Sequence, residues 1–293
     1  PEEAAPAGES EPVVWDDTPI DLSALGSVNA DIKLAADGLL ARDIKLGENA
    51  FRLQLKNGVM TLDMSKFKAY QGSGQGTVSV NAGSQPYKVA TSFKLSGIEA
   101  EPLLTDSVGF DKLRGKGQLQ WQLDTSGVSQ KDFVNRLEGT LGFTFTDGAV
   151  KGANVAALVR SAEAAAKGDL AGVNLDKNFD NAAETDFSEM GGTLRFAKGL
   201  GTNDDLTLAS PLLRVTGSGT VDLPATVVDY AVKARLVATA EGQKAQEKAK
   251  GVGIPIRIKG PFHDVKVKVD IASAAKENAF DSLKNKLFDR FNR

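Results

Sequence analysis

Strict alternation of apolar and polar residues, run after run, limits what this chain can become. Gln118 to Leu123 reads Gln-Leu-Gln-Trp-Gln-Leu, with three glutamines on one side of an extended chain and three large apolar groups on the other. Thr140 to Thr146 does the same with Leu141, Phe143 and Phe145. Val89, Thr91, Phe93 and Leu95 alternate with Lys88, Ala90, Ser92 and Lys94. Ile254, Ile256 and Ile258 form another such run, and Val265, Val267, Val269 and Ile271 a fifth. Successive side chains of a strand point to opposite faces, so every run has a wet face and a dry face.

Glycine-containing pairs punctuate these runs: Asp37-Gly38, Asn57-Gly58, Asp147-Gly148 and Lys198-Gly199. Asn-Gly and Asp-Gly suit the tight turns of antiparallel hairpins. The pattern predicts on the order of fourteen strands. The expected fold is mainly β: a long, curved antiparallel sheet, a repeating β-groove or open barrel-like form, with a few short helices. Residues 51–82 and 193–224 share an order of strand, glycine turn, alternating strand and a Gly-x-Gly-Thr-Val strand start. Such self-similarity points to one β unit used repeatedly along a common apolar face.

Helical signals are fewer. Ser129 to Leu137 reads as a short helix with Ser129 as its cap and Asp132 in the first turn. Asn154 to Lys167 is alanine-rich and stops at Gly168. From Ser273 to Phe291 the apolar groups Phe280, Leu283, Leu287, Phe288 and Phe291 recur at helical spacing. Between Lys276 and Arg293 that segment carries five basic and three acidic residues. It either caps the end of the β structure or offers its apolar face to a membrane surface or a partner. The expected organisation is a Pro/Glu/Ala-rich linker over 1–14, a β domain with internal repeats over 15–271, and this amphipathic helix over 272–293.

Chemistry finds little purchase. The chain has no cysteine, so thiolate catalysis, disulfides and Cys-based zinc sites are excluded. Its single histidine, His263, lies in a Gly-Pro-Phe-His-Asp turn and cannot build a histidine metal cluster. The formal net charge of −3 lacks the basic excess of nucleic-acid binders. Gly72 to Gly76 superficially resembles a phosphate loop, but strand-like Thr77 to Val80 follows where a helix would be needed. Those glycines read instead as a bulge or a close strand approach. Asp16-Asp17 and Asp204-Asp205 read as solvated turn charges, because neighbours in a strand cannot act as an acid/base couple. The expectation is a protein that is not an enzyme and uses no cofactor or metal.

Three stretches carry a resemblance. Trp15 to Val80, Thr185 to Thr239 and Gly253 to Asp270, the last reading GIPIRIKGPFHDVKVKVD, resemble in order the C-terminal region of AsmA-type proteins. That family looks related to TamB and to bridge-like lipid-transfer proteins. The resemblance implies a periplasmic β body in a Gram-negative envelope, anchored in the inner membrane by a helix upstream of Pro1. It also implies phospholipid acyl chains as cargo, in transport or outer-membrane lipid homeostasis. An acyl chain burying about fourteen methylenes would gain roughly 11 kcal/mol before ordering costs. Groove-lining candidates are Leu119, Trp121, Leu123, Leu141, Phe143, Phe145, Leu206, Leu208, Val232 and Leu236. The same residues would serve equally as an ordinary closed core. The alternative function is an assembly factor or chaperone for outer-membrane proteins, which exposed strand edges would bind by β-augmentation.

Overall fold

The computed structural model describes residues 14–36, 39–41, 44–166, 183–237 and 253–270. The linker proposed over 1–14 falls almost wholly outside them. So does the C-terminal helix with Phe280, Leu283, Leu287, Phe288 and Phe291, as does the Asp37-Gly38 turn.

Among the described residues, the alternating runs become fourteen strands of one sheet. The first six are β1 (Ala30–Ala36), β2 (Leu39–Ala41), β3 (Ile44–Lys56), β4 (Val59–Ala69), β5 (Gly72–Asn81) and β6 (Tyr87–Glu99). Then come β7 (Leu113–Gly127), β8 (Glu138–Lys151), β9 (Glu184–Ala197) and β10 (Leu200–Ala209). The last are β11 (Leu213–Asp222), β12 (Val227–Leu236), β13 (Ile254–Pro261) and β14 (Lys266–Val269). From β3 onward each strand pairs antiparallel with the next, while β1 and β2 lie end to end against β3. The hydrogen-bonded order ends at β1 and at β14, so the sheet is open and does not close into a barrel.

Period-two alternation combined with unbroken antiparallel pairing places every apolar set on one face. Register makes this concrete. One row of directly opposed residues reads Leu34, Phe51, Met64, Gly76, Phe93, Trp121, Leu141, Leu194 from β1 to β9. The row beside it reads Ile32, Leu53, Leu62, Val78, Thr91, Leu123, Gly139, Phe196.

Bulges bend this sheet. The register shifts in the β4–β5, β6–β7, β7–β8, β9–β10 and β10–β11 pairs. Each extra residue kinks its strand and adds twist, which is how a long sheet curls. Asp147-Gly148 is one of these devices and not the turn expected of it. It lies inside β8, where Thr146 and Ala149 face Lys116 and Arg114, leaving one residue too many on the β8 side. Asp147 takes φ +49° there. Asp204-Asp205 is likewise a bulge within β10 and not a turn.

Among the described residues, three α-helices sit at the strand ends. α1 (Ala100–Val108) follows β6 and stops at Gly109, whose φ of +69° is the left-handed cap that glycine adopts without a Cβ penalty. The sequence reading missed it; the signal was Pro102 in the first turn with Gly109 at the stop. α2 (Gln130–Asn135) starts as expected, with Ser129 Oγ accepting from the Asp132 amide at 3.2 Å and Asp132 returning a bond to the Val128 amide. α3 (Val155–Ala166) is the alanine-rich segment, capped by Asn154 Oδ1 accepting from Ala157 N at 2.9 Å.

α1 and α3 lie at the same end of the strands and cover that margin of the apolar face. Leu158, Val159 and Ala162 of α3 close over Leu213, Val232, Ala234, Ile254 and Ile256. Ala100 of α1 joins Leu113, Phe145 and Phe187, with Leu104 packed against them. At the opposite strand ends the segment before β1 runs along the rim. Trp15 donates its indole N–H to Leu223 O at 2.7 Å, the Ile20 amide donates to Val128 O at 2.7 Å, and the chain then enters β1. This strap spans from the β11–β12 connection back to the first strand.

Candidate functional site

The apolar face divides into a covered margin and an uncovered middle. Under α1 and α3 the residues Ala69, Ile98, Leu113, Phe145, Leu213, Ala234 and Ile254 are buried. In the row from Phe51 to Leu194 every side chain is half-buried, and Leu34 at its start is 47% exposed. Lateral neighbours shield these groups, while no described element lies over them as α1 and α3 do over the margin.

The ten groove candidates fall on both sides of this division. Trp121 and Leu141 stand in the half-buried row, and Leu123 in the one beside it. Leu119 and Phe143 oppose each other one row toward the helices and are half-buried. Leu206, Leu208 and Leu236 are half-buried and pack against the α3 cluster. Phe145 and Val232 are buried at 5% and 8% exposure, so in this structure they are core. Leu119 touches the clusters on either side of it and Leu208 links the α1 and α3 clusters, so the apolar face is continuous.

Aromatic rings fill the space left by glycines on adjacent strands. Phe93 lies over Gly76, where a Cβ would fall 2.3 Å from the ring's Cδ1. Trp121 stacks on Phe93 with centroids 4.9 Å apart, and Phe67 meets Phe93 edge-on at 6.2 Å. The Trp121 indole N–H donates to Thr91 Oγ1 at 3.2 Å, so its one polar group is satisfied within the face. The glycines of the Gly72 to Gly76 stretch are therefore the close approach that the sequence suggested, and no helix follows them. Seven strand spacings of about 4.8 Å make the Leu34 to Leu194 row about 34 Å long. A bilayer leaflet's hydrocarbon is about 15 Å thick. The row is thus about twice as long as one acyl chain's share of a membrane.

The polar face carries ion pairs at both ends of the sheet. Arg52 pairs with Asp31 at 2.6 Å across β1 and β3. Asp229 of β12 pairs with Lys259 at 3.0 Å and with Arg257, both on β13. These partners hold both carboxyls below the ordinary aspartate range. An open depression of about 870 Å³ sits among β1, β3, β4, β5 and β6, lined by Leu34, Phe51, Met64 and Phe93 together with Lys33, Arg52, Asp63 and Lys94.

The charges near β10 break the pattern. Asp204 pairs with Arg195 at 2.8 Å. Asp205 instead accepts from the Thr193 amide at 2.7 Å and from Asn203 Nδ2 at 2.7 Å. A Cβ built on Gly192 would meet Asn203 Nδ2 at 2.9 Å, the Phe143 ring at 3.2 Å and Asp205 Oδ1 at 3.4 Å. Gly192 directly opposes Phe143, so this carboxylate stands beside the apolar side. Neither Asn203 nor Asp205 is among the groove candidates, because alternation assigns a bulged pair to neither face.

Among the described residues no helix is long and apolar enough to cross a membrane. A family model described as the AsmA family matches residues 4–206, starting within the segment read as a linker. A curated relative, Protein AsmA of Escherichia coli (strain K12), is 23% identical over 266 residues. That alignment takes in 90% of this chain and 42% of the relative, so the chain spans less than half the length of the curated relative it matches. No solved structure matches.

Proposed function

This chain belongs to the AsmA family, and on that premise we propose that it is an envelope-associated, non-enzymatic segment that holds lipid acyl chains along the uncovered middle of its apolar face. The observation that carries the reading is the row from Leu34 to Leu194: eight strand positions in register, with no charge among them and none of the side chains buried. A half-buried apolar strip has water to lose. Each methylene laid on it contributes up to ~0.8 kcal/mol, and no particular side chain is required. The strip's length accommodates a chain lying along the sheet, across the strands. On this reading the chain is periplasmic, and phospholipid traffic or outer-membrane lipid homeostasis is the process it serves.

The strand-edge alternative has less to stand on at the β14 edge. β14 is four residues long and carries Lys266 and Lys268, and short, lysine-bearing edges oppose added strands.

Leu141→Asp tests the strip. An unpaired carboxylate against hydrocarbon costs several kcal/mol. Lipid recovered with the purified chain, measured by mass spectrometry, and affinity for a fluorescent fatty acid should both fall at least tenfold, with the circular dichroism unchanged. A folded variant that keeps its full lipid load removes this reading.

A further inference from the structure

The apolar row stops at a polar island. Across the bulge from Leu194, β10 presents Asn203, which opposes Gly219 of β11, which opposes Tyr230 of β12. Asn203 is 3% exposed, and its side-chain oxygen has no hydrogen-bond partner. Its amide nitrogen is spoken for twice, donating to Thr193 O at 2.9 Å and to Asp205 Oδ1 at 2.7 Å. That fixes the orientation and leaves an acceptor unmet, which a buried carbonyl oxygen rarely tolerates. Asp205 adds a negative charge, and the Thr193 amide holds its carboxyl below the ordinary range. Burial pushes the Tyr230 phenol up, and the Asp205 charge pushes it further the same way. The island therefore combines an unmet acceptor, an anion and an aromatic face: three groups that all favour a cationic hydrogen-bond donor.

We propose that Asn203, Asp205 and Tyr230 receive a primary ammonium group, as on an ethanolamine head group, of a lipid whose acyl chain lies along the Leu34 to Leu194 row. The inference rests on the acyl-chain reading above and adds to it a direction, with tail toward β1 and head at β10. Geometry supports the pairing, because the last apolar position and the first polar one are neighbours across the β9–β10 pair. Asp204, one residue away, is engaged by Arg195 and is not part of the site.

The test uses the full 293-residue chain and three probes: a fluorescent fatty acid, a phosphatidylethanolamine and a phosphatidylglycerol with identical chains. The unaltered protein should bind the ethanolamine lipid about tenfold more tightly than the glycerol lipid. Asp205→Asn keeps an oxygen for the Thr193 amide and should abolish that preference while fatty-acid affinity stays within twofold. Should that variant not fold, carbodiimide coupling on the unaltered protein gives the answer. The reagent activates a carboxylate, the bound lipid amine displaces the urea to form an amide, and mass spectrometry should find the lipid on Asp205. Fatty-acid binding without head-group preference, or coupling only to other carboxylates, overturns this inference and leaves the strip standing. Loss of fatty-acid binding as well overturns both. Competition by free ethanolamine at equal concentration would mark a site for the soluble amine and overturn the lipid assignment.

Discussion

The two halves of the internal repeat share their geometry and differ in their chemistry. In the first, β3 turns into β4 through Asn57-Gly58, with φ of +50° and +76°; in the second, β9 turns into β10 through Lys198-Gly199, with +52° and +77°. Both turns need left-handed backbone at two successive positions, the form that matches strand twist. Both units then bulge at the same place. Met64 and Phe67 face Gly76 and Gly74, while Asn203 and Leu206 face Gly219 and Gly217. In both, the second glycine lies under an aromatic ring of the next strand, Phe93 or Tyr230. What varies is the bulge itself: Met64-Ser65-Lys66 in one, Asn203-Asp204-Asp205 in the other. Turn, bulge and glycine set how the sheet bends. The bulged residues, released from strict alternation, are free to carry polar function.

The largest test of this equivalence is to fill the glycines. A Cβ on Gly76 would lie 2.4 Å from Phe93 Cγ and 2.6 Å from Ser92 O; on Gly219, 2.5 Å from both Tyr230 Cγ and Asp229 O. Gly76→Ala and Gly219→Ala should each cost about 3 kcal/mol in denaturant unfolding. Adding Phe93→Ala or Tyr230→Ala to the matching variant clears the ring but not the backbone. Each double variant should therefore be less destabilised than its two singles summed. Additive behaviour in one unit and coupling in the other would mean that the repeat is only a likeness of sequence.

Which parts of the molecule the sequence disclosed follows from how each signal is generated. Period-two alternation is a property of single strands, so β6, β7, β8 and β13 are visible without any partner. The mainly antiparallel, open sheet follows from those strands and their short turns. A bulge is a property of a pair. Asp147-Gly148 and Asp204-Asp205 look like turns until the single residues that span them on the paired strands, Gly115 and Ser218, are seen. Coverage is a property of three dimensions. Phe145 and Leu141 alternate identically in β8, yet one is core beneath α1 and the other half-buried, because α1 packs at one end of the strand only. The Trp15 strap joins residues 208 positions apart and has no local signature at all.

A smaller effect separates the two tight turns. Alanine at a left-handed position costs about 1 kcal/mol. At Gly58 the nearest atoms to a new Cβ are those of Gly83 at 3.1 Å, so Gly58→Ala should cost about that much. At Gly199 the new Cβ would fall 2.4 Å from Val134 O and 2.7 Å from Pro224 Cδ, so backbone must move and the cost should reach about 2–3 kcal/mol. The excess measures how firmly α2 is seated on the second unit's turn. Equal shifts in the denaturation midpoints of the two variants would show that α2 yields freely.

The smallest expected difference lies in acid. Asp229 is held below its ordinary value by Lys259 first and then Arg257, and Asp31 by Arg52. A depressed carboxyl contributes stability that is whole above its unfolded value near 3.9 and is lost as pH falls through its folded value. The protein should therefore melt at lower temperature as pH drops below about 4. Asp229 faces two cations with its side chain 22% exposed, whereas Asp31 faces Arg52 at 47% exposure, so solvent screens the β1–β3 pair more. Asp229→Asn should flatten the acid limb of the melting curve more than Asp31→Asn, and 1 M salt should shrink both effects. If Asp31→Asn flattens it more, the β1–β3 pairing is the acid-sensitive end of the sheet, and the ordering inferred from exposure is wrong.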